Sequence, residues 1–195
     1  MKINKALKKE HKSNKRLFVI MMLIFIILPS ITYLGRIKSL FIWTYLCVIE
    51  ILIILILLRN SNYYSLKFVC SNNRLKIKSG LFIKESLILC DKVSVVHTSK
   101  EKEELEIILI TSAKFKNKWL KPITQGFIKR YPEAAEEYLR IKKLTPEQQF
   151  YFQIIRRGAL KKYLLLDTIY KNCVGAKYTA SAIENIKIAR GQIEI

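Results

Sequence analysis

The sequence predicts a membrane-anchored α+β protein: two transmembrane helices forming a hairpin, then a small antiparallel sheet with a closing helix, then a C-terminal helical extension. Three observations carry this. Two apolar runs near the N-terminus are each long enough to cross a bilayer. The stretch RLKIKSGLFIKESLILCDKVSVV, residues 74–96, alternates with the period of a pleated strand. Helix-start signals recur later, at Pro132 and at Thr145-Pro146.

The apolar runs are Leu17–Leu34, 18 residues without a formal charge, and Ser39–Leu58, 20 residues with the single acid Glu50. No small-x-small cleavage site follows the first run and a second run comes at once, so both are expected as helices of the mature chain rather than as a signal peptide. Only Gly35, Arg36, Ile37 and Lys38 separate them, which makes the pair an antiparallel hairpin with its ends on one side. Residues 1–16 carry seven Lys/Arg against one Glu, and residues 59–195 carry 26 against 13 acids. By the positive-inside rule both termini are expected in the cytoplasm. Pro29 is expected to kink the first span. Glu50, a carboxylate placed in hydrocarbon, is the candidate intramembrane functional residue, with helix packing as its plainer role.

The chain divides into a basic N-terminus (1–16), the hairpin (17–58), a β domain (59–143) and a helical extension (144–195). From Tyr64 the period is two: Leu66, Phe68 and Cys70 alternate with Lys67, and Leu75 and Ile77 with Lys76 and Lys78. Ser71-Asn72-Asn73 supplies turn residues that tolerate positive φ. Gly80 interrupts, LFIKESLIL follows, and VSVVHT and ELEIILITS complete about five short strands, a meander with one polar and one core face. A helix from Pro132 is expected to cover the sheet with Ala134, Ala135, Tyr138, Leu139 and Ile141.

Beyond it, Thr145 as cap, Pro146 at the first position and Glu147 in the first turn predict a helix running to Asn172. Its apolar face would hold Tyr151, Ile154, Ile155, Leu165, Leu166 and Ile169, and its other side Gln153, Arg156, Arg157, Lys161 and Asp167. The apolar face is wider than a surface helix needs, which favours docking on the sheet or on another subunit; in the alternative, where the helix lies on the bilayer, Arg156, Arg157, Lys161 and Lys162 are the candidate contacts to an anionic surface. A last short helix is expected over about Ala180–Arg190.

The net charge of +20 suits an anionic leaflet or nucleic acid equally. The anchor and the lack of a recognition-helix pattern favour the membrane and make nucleic acid a poor fit. Four cysteines without a C-x-x-C pair, and two histidines apart from them, predict neither a disulfide framework nor a zinc site. Phosphate-loop, dinucleotide, zincin and nucleophile-elbow motifs are absent. Cys90 and His97, on adjacent predicted strands, are the one nucleophile–base pairing on offer, without a third orienting group. No cofactor and no catalysis are expected.

The order of a hydrophobic pair, a tyrosine strand at Tyr64, the turn Asn73-Arg74-Leu75, the break Gly80-Leu81-Phe82 and the strand from Val93 to Val96 resembles the bacterial pleckstrin-homology-like membrane proteins. The resemblance covers roughly residues 17–143 and lies in turns and hydrophobicity, not in a catalytic signature. It implies a curved sheet closed by a helix, serving as a binding or assembly module. Lys76, Lys78 and Lys84 are positions where such a sheet would meet a head group, though lysines on a strand's open side are ordinarily just solvated.

Together these predict a non-catalytic membrane protein facing the cytoplasm. Its partners would be membrane lipid and a protein partner or a second copy of itself. Two other classes compete: an accessory or self-protection component of a transporter or membrane-active-peptide system, working through Glu50 and the hairpin, and a small membrane enzyme.

Overall fold

A computed structural model describes residues 3–36, 39–81, 83–101, 104–115 and 117–194. Two long helices come first, α1 (Ile3–Leu34) and α2 (Leu40–Tyr64), and both are long and apolar enough to cross a membrane. Their apolar surface is not covered by the rest of the chain: only 6% of each span window is buried. Side chains such as Ile26, Ile31, Leu52 and Leu55 stand open, an extent of bare apolar surface that lipid rather than water accommodates. Membrane association follows. Pro29 lies inside α1 without ending it, and the Ser30 and Thr32 hydroxyls donate to the carbonyls of Ile26 and Leu28 on that turn.

Both helices outrun their apolar segments. The basic segment before Leu17 is the first four turns of α1, and it docks on the domain: Ile3 and Ala6 are buried, and Leu7 packs against the main core. Glu10 accepts a hydrogen bond from Leu160 N at 3.4 Å. Helix α2 likewise continues through Tyr64, where the sequence suggested that a strand begins. Asn60 bonds to Asn14 across the hairpin, the Tyr63 hydroxyl donates to Glu104 at 2.8 Å, and the Tyr63 carbonyl accepts from Gly158 N.

Five strands lie between residues 63 and 119 among the described residues, but they form two sheets and not one meander. Strands β1 (Leu66–Ser71), β2 (Arg74–Ser79) and β3 (Ser86–Leu89) make an antiparallel three-stranded sheet. Asn72 and Asn73, both at positive φ, turn β1 into β2 as expected. The second sheet has the order β6-β7-β5-β4-β8, with β4 (Val93–Glu101), β5 (Glu104–Thr111), β6 (Lys121–Pro122), β7 (Tyr151–Ile155) and β8 (Lys177–Tyr178). Strand β8 runs parallel to β4 and the other pairs are antiparallel.

The expected one-sided pattern fails at β5, where every residue from Leu105 to Thr111 is buried. One face joins Leu105, Ile107 and Leu109 to Leu75, Ile77 and Ile88 of the first sheet and to Tyr163, Leu165, Leu166 and Ile169 of α5 (Lys161–Asn172). The other packs Ile108 and Ile110 on Phe127 of α3 (Gln125–Arg130) and on Tyr131 and Ala134 of the turn into α4 (Pro132–Leu144). Helix α4 thus covers the sheet with Ala134, Ala135, Tyr138 and Ile141, while Leu139 stands exposed. Helix α6 (Ala180–Ala189) buries Ile186 and Ile188 and leaves Ile183 open.

The helix expected from Pro146 to Asn172 does not form. Thr145 closes α4, its N–H bonding to the Ile141 carbonyl, and the segment after it becomes strand β7 and then α5. Two features decide this. The run Phe150–Ile155 is rich in aromatic and β-branched residues, chemistry that fits a pleated, half-buried surface. Gly158 then adopts φ +114°, with a Cβ there only 2.5 Å from Leu66 Cδ2, and Ala159 also has positive φ, so no helix runs through. What was expected as a separate helical extension therefore supplies a strand between β6 and β5 of the second sheet and a helix to the main core.

A cationic cleft beside the end of the second span

Strand β7 is followed at once by Arg156 and Arg157, and the strand's position beside β5 fixes where these side chains project. They line one side of a cleft of about 470 Å³, within the range of small-molecule sites. The turn between β2 and β3 contributes Lys84, β6 contributes Lys121, and the last residue of α3 is Arg130. Rings of Trp119, Phe127, Tyr131 and Phe152 line the apolar part.

A polar net holds the floor. Ser86 Oγ donates to Gln153 Oε1 at 2.6 Å, and Asn117 Nδ2 donates to Ser86 Oγ at 2.7 Å and to Gln153 Oε1 at 3.2 Å. Asn117 Oδ1 accepts from Trp119 N at 2.9 Å, which sets the turn that presents the indole. These groups are buried and bonded to one another, so β3, β7 and the chain before β6 act as one support.

The charge is one-sided. Glu106 of β5, buried beneath the floor, accepts from Arg156 Nε at 2.7 Å and from the Tyr131 hydroxyl at 2.7 Å. Burial and then the carboxylate raise the Tyr131 phenol above its ordinary range, so it stays a donor at neutral pH. Arg156 is thus neutralised and held. Among the described residues no carboxylate pairs with Lys84, Lys121 or Arg157. Cations grouped in a concave, partly apolar site focus a positive potential into it and raise the local concentration of anions.

The cleft adjoins α2. Arg157 Nη1 lies 3.3 Å from Asn62 Oδ1, which also accepts from Leu81 N at 3.0 Å. Gly80, at φ +115°, makes this approach possible: a Cβ there would sit 2.6 Å from Arg157 Nη1 and 2.7 Å from Asn62 Oδ1. Asn62 is one turn of helix beyond Leu58, the last residue of the apolar run, a rise of about 6 Å.

The four cations picked from sequence do not form one surface. Arg156 and Arg157 line the cleft, whereas Lys161 is exposed on the first turn of α5 and is not part of the lining. Lys162 is a correction: it is 1% exposed, its Nζ donates to the Arg156 carbonyl at 2.6 Å, and burial lowers its pKa against the pull of Glu104, Glu106 and Glu10. A lysine whose tip closes a buried carbonyl is not available to a surface. Glu50 lies half-buried in α2, far along the helix from the cleft, and among the described residues its carboxylate has no bonded partner. Lys121, Arg130 and Trp119 were not legible in the sequence, because four separate segments meet here and no local spacing joins them.

The Cys90–His97 pairing is also excluded by geometry. Cys90 is in the main core, 3.6 Å from Cys70 Sγ, its thiol pushed up to about 11 by burial first. His97 is in a different place, with Nδ1 3.0 Å from Thr179 Oγ1, 3.2 Å from Ser181 Oγ and 3.7 Å from Glu133 Oε2. Ser181 also donates to Glu133 at 3.0 Å. Serine and carboxylate share one ring nitrogen here, whereas a nucleophile relay sets them on opposite nitrogens. The described residues contain no group of three side chains suited to a metal ion.

Comparison with protein-family models, with curated proteins and with solved structures finds no match for this chain.

Proposed function

We propose that this is a non-catalytic membrane protein whose β domain faces the cytoplasm and binds an anionic lipid at the inner leaflet, with the cleft at Lys84, Lys121 and Arg157 as the site. The observation that carries the proposal is the position of that cleft: three cations without acidic partners among the described residues, tied through Arg157 and Asn62 to the end of a span. Orientation rests on the basic segments flanking both spans. The pleckstrin-homology-like assignment belongs to the same proposal. Its support is the succession of a three-stranded sheet, further antiparallel strands sharing its core and the helix α5 after β7; the α3–α4 segment and the β8–α6 end are additions to that pattern.

The test uses the full chain in lipid nanodiscs, because α1 packs on the domain. Thermal stability is compared between zwitterionic discs and discs containing anionic lipid, for the wild type and for Lys84→Ala/Lys121→Ala. The wild type is expected to gain stability with anionic lipid, in keeping with linkage. The variant is expected to bind roughly thirtyfold more weakly, from about 1 kcal/mol per cation near the surface. Equal stability in both discs, for both proteins, would remove the proposal.

A further inference from the structure

The cleft gathers more positive charge than the chain around it neutralises. Glu106, beneath the floor, is matched by Arg156 at 2.7 Å. Arg130 has its guanidinium over the Tyr131 ring, 5.6 Å from the centroid. That leaves Lys84, Lys121 and Arg157, three unit charges facing one cavity of about 470 Å³. No acid among the described residues pairs with them, and the bond Arg157 makes goes to the neutral amide of Asn62. The three come from separate segments, the turn before β3, strand β6 and the residues after β7, so no single stretch of sequence forces them together. Like charges converging in a concave site repel one another and focus a potential that an anion relieves. A fold that breaks charge balance at one place marks that place as a site.

The size of the imbalance bears on the ligand. A carboxylate or a phosphodiester brings one negative charge and leaves two of the three cations unanswered. A phosphate monoester brings about −1.5 to −2 at neutral pH and three terminal oxygens that accept strong hydrogen bonds, one for each cation. From this match we infer that the cleft selects a phosphate monoester over a singly charged head group, with Lys84, Lys121 and Arg157 as the residues that read the second charge. Trp119 and Phe152, on the apolar side of the cleft, cover the carbon body that carries the phosphate. A lipid as that carrier rests on the proposed function; the same monoester chemistry occurs in soluble phosphate compounds.

The selectivity has a pH signature that belongs to the ligand. The charged and titratable groups facing the site are Lys84, Lys121, Arg130, Tyr131, Arg156 and Arg157, with Glu106 below, and no histidine lines it among the described residues. The ordinary titration ranges of these side-chain types lie outside about pH 5–8. A phosphate monoester takes its second charge at about pH 6, so its advantage over a diester is complete above that value and is lost as pH falls below it.

The experiment uses the full chain carrying Trp43→Phe, which leaves Trp119 as the one tryptophan. It is placed in zwitterionic nanodiscs doped with a diacylglycerol phosphate, or with the methyl ester of that lipid, which has the same chains and a single charge. The monoester lipid is expected to move the Trp119 emission at a mole fraction roughly tenfold below that of the methyl ester at about pH 8, and less than about twofold below it at about pH 5. The methyl ester also controls for His97, whose titration acts on the protein with either lipid. Lys84→Ala/Lys121→Ala, its fold checked by the thermal midpoint in undoped discs, is expected to lose the advantage. Equal responses to the two lipids would overturn the monoester and leave the anionic-lipid site standing. A response to glycerol 3-phosphate added to undoped discs, with none to either lipid, would keep the monoester and remove the lipid. Silence toward all three overturns both.

Discussion

Lys162 and His97 show how burial changes what a polar side chain does. Lys162 sits among apolar residues and spends its ammonium on the Arg156 carbonyl, which orients the chain entering the cleft. Lys162→Ala is expected to lower stability by about 2–4 kcal/mol, through lost packing and an orphaned carbonyl. Binding to anionic lipid by the folded protein should keep its salt dependence, and Lys161→Ala should change neither quantity. Chemical denaturation and disc binding of the two variants check this pair of outcomes. His97 has its pKa lowered by burial, with Glu133 opposing. The unfolded chain therefore binds more protons below the ordinary histidine value, so the stability His97 contributes is complete above that value and is lost as pH falls through the folded one. Denaturation midpoints are expected to drop between about pH 7 and pH 5, and His97→Gln to flatten that window.

At the scale of elements, Gly158 is the position on which β7 and α5 depend. It combines φ +114° with the close approach of Leu66, and its N–H bonds to Tyr63. Gly158→Ala is expected to cost at least about 2 kcal/mol, read as a lower denaturation midpoint and faster cleavage by protease around residue 158. The same residue explains where the sequence was legible and where it was not. The hairpin, the first five strands and the helix at Pro132 are written in local patterns: uncharged runs, period-two alternation and a proline start. Residues 145–172 carry a helix start and a helical spacing of apolar residues, yet fold as turn, strand and helix. A short apolar run such as Phe150–Ile155 suits a helix or a strand alike, and the deciding contact, Gly158 against Leu66, joins residues 92 positions apart. For the site, the arginines at the end of β7 were found for the wrong reason, as one face of a helix, and Lys121 and Arg130 reach the cleft only through tertiary pairing.

Across the whole molecule, the spans and the domain meet without a hinge, since α1 begins and α2 ends against the domain core and are cross-linked there by Asn14–Asn60, Tyr63–Glu104 and Asn62–Leu81. Inserting two alanines between Arg59 and Asn60 would turn the end of α2 by about 200° and raise it by about 3 Å. It is expected to lower the thermal midpoint of the full chain and to abolish the gain from anionic lipid, measured in the same discs. Glu50→Gln, remote from these contacts, is expected to leave both unchanged if the hairpin serves only as anchor. The jointless connection also makes the protein responsive to the bilayer's own dimensions. In the proposed membrane setting, a leaflet that thickens or thins by a few ångströms obliges a rigid pair of spans to change tilt, and with no loop to absorb the motion the domain would rock with it, lifting or lowering the cationic mouth against the proposed head-group surface.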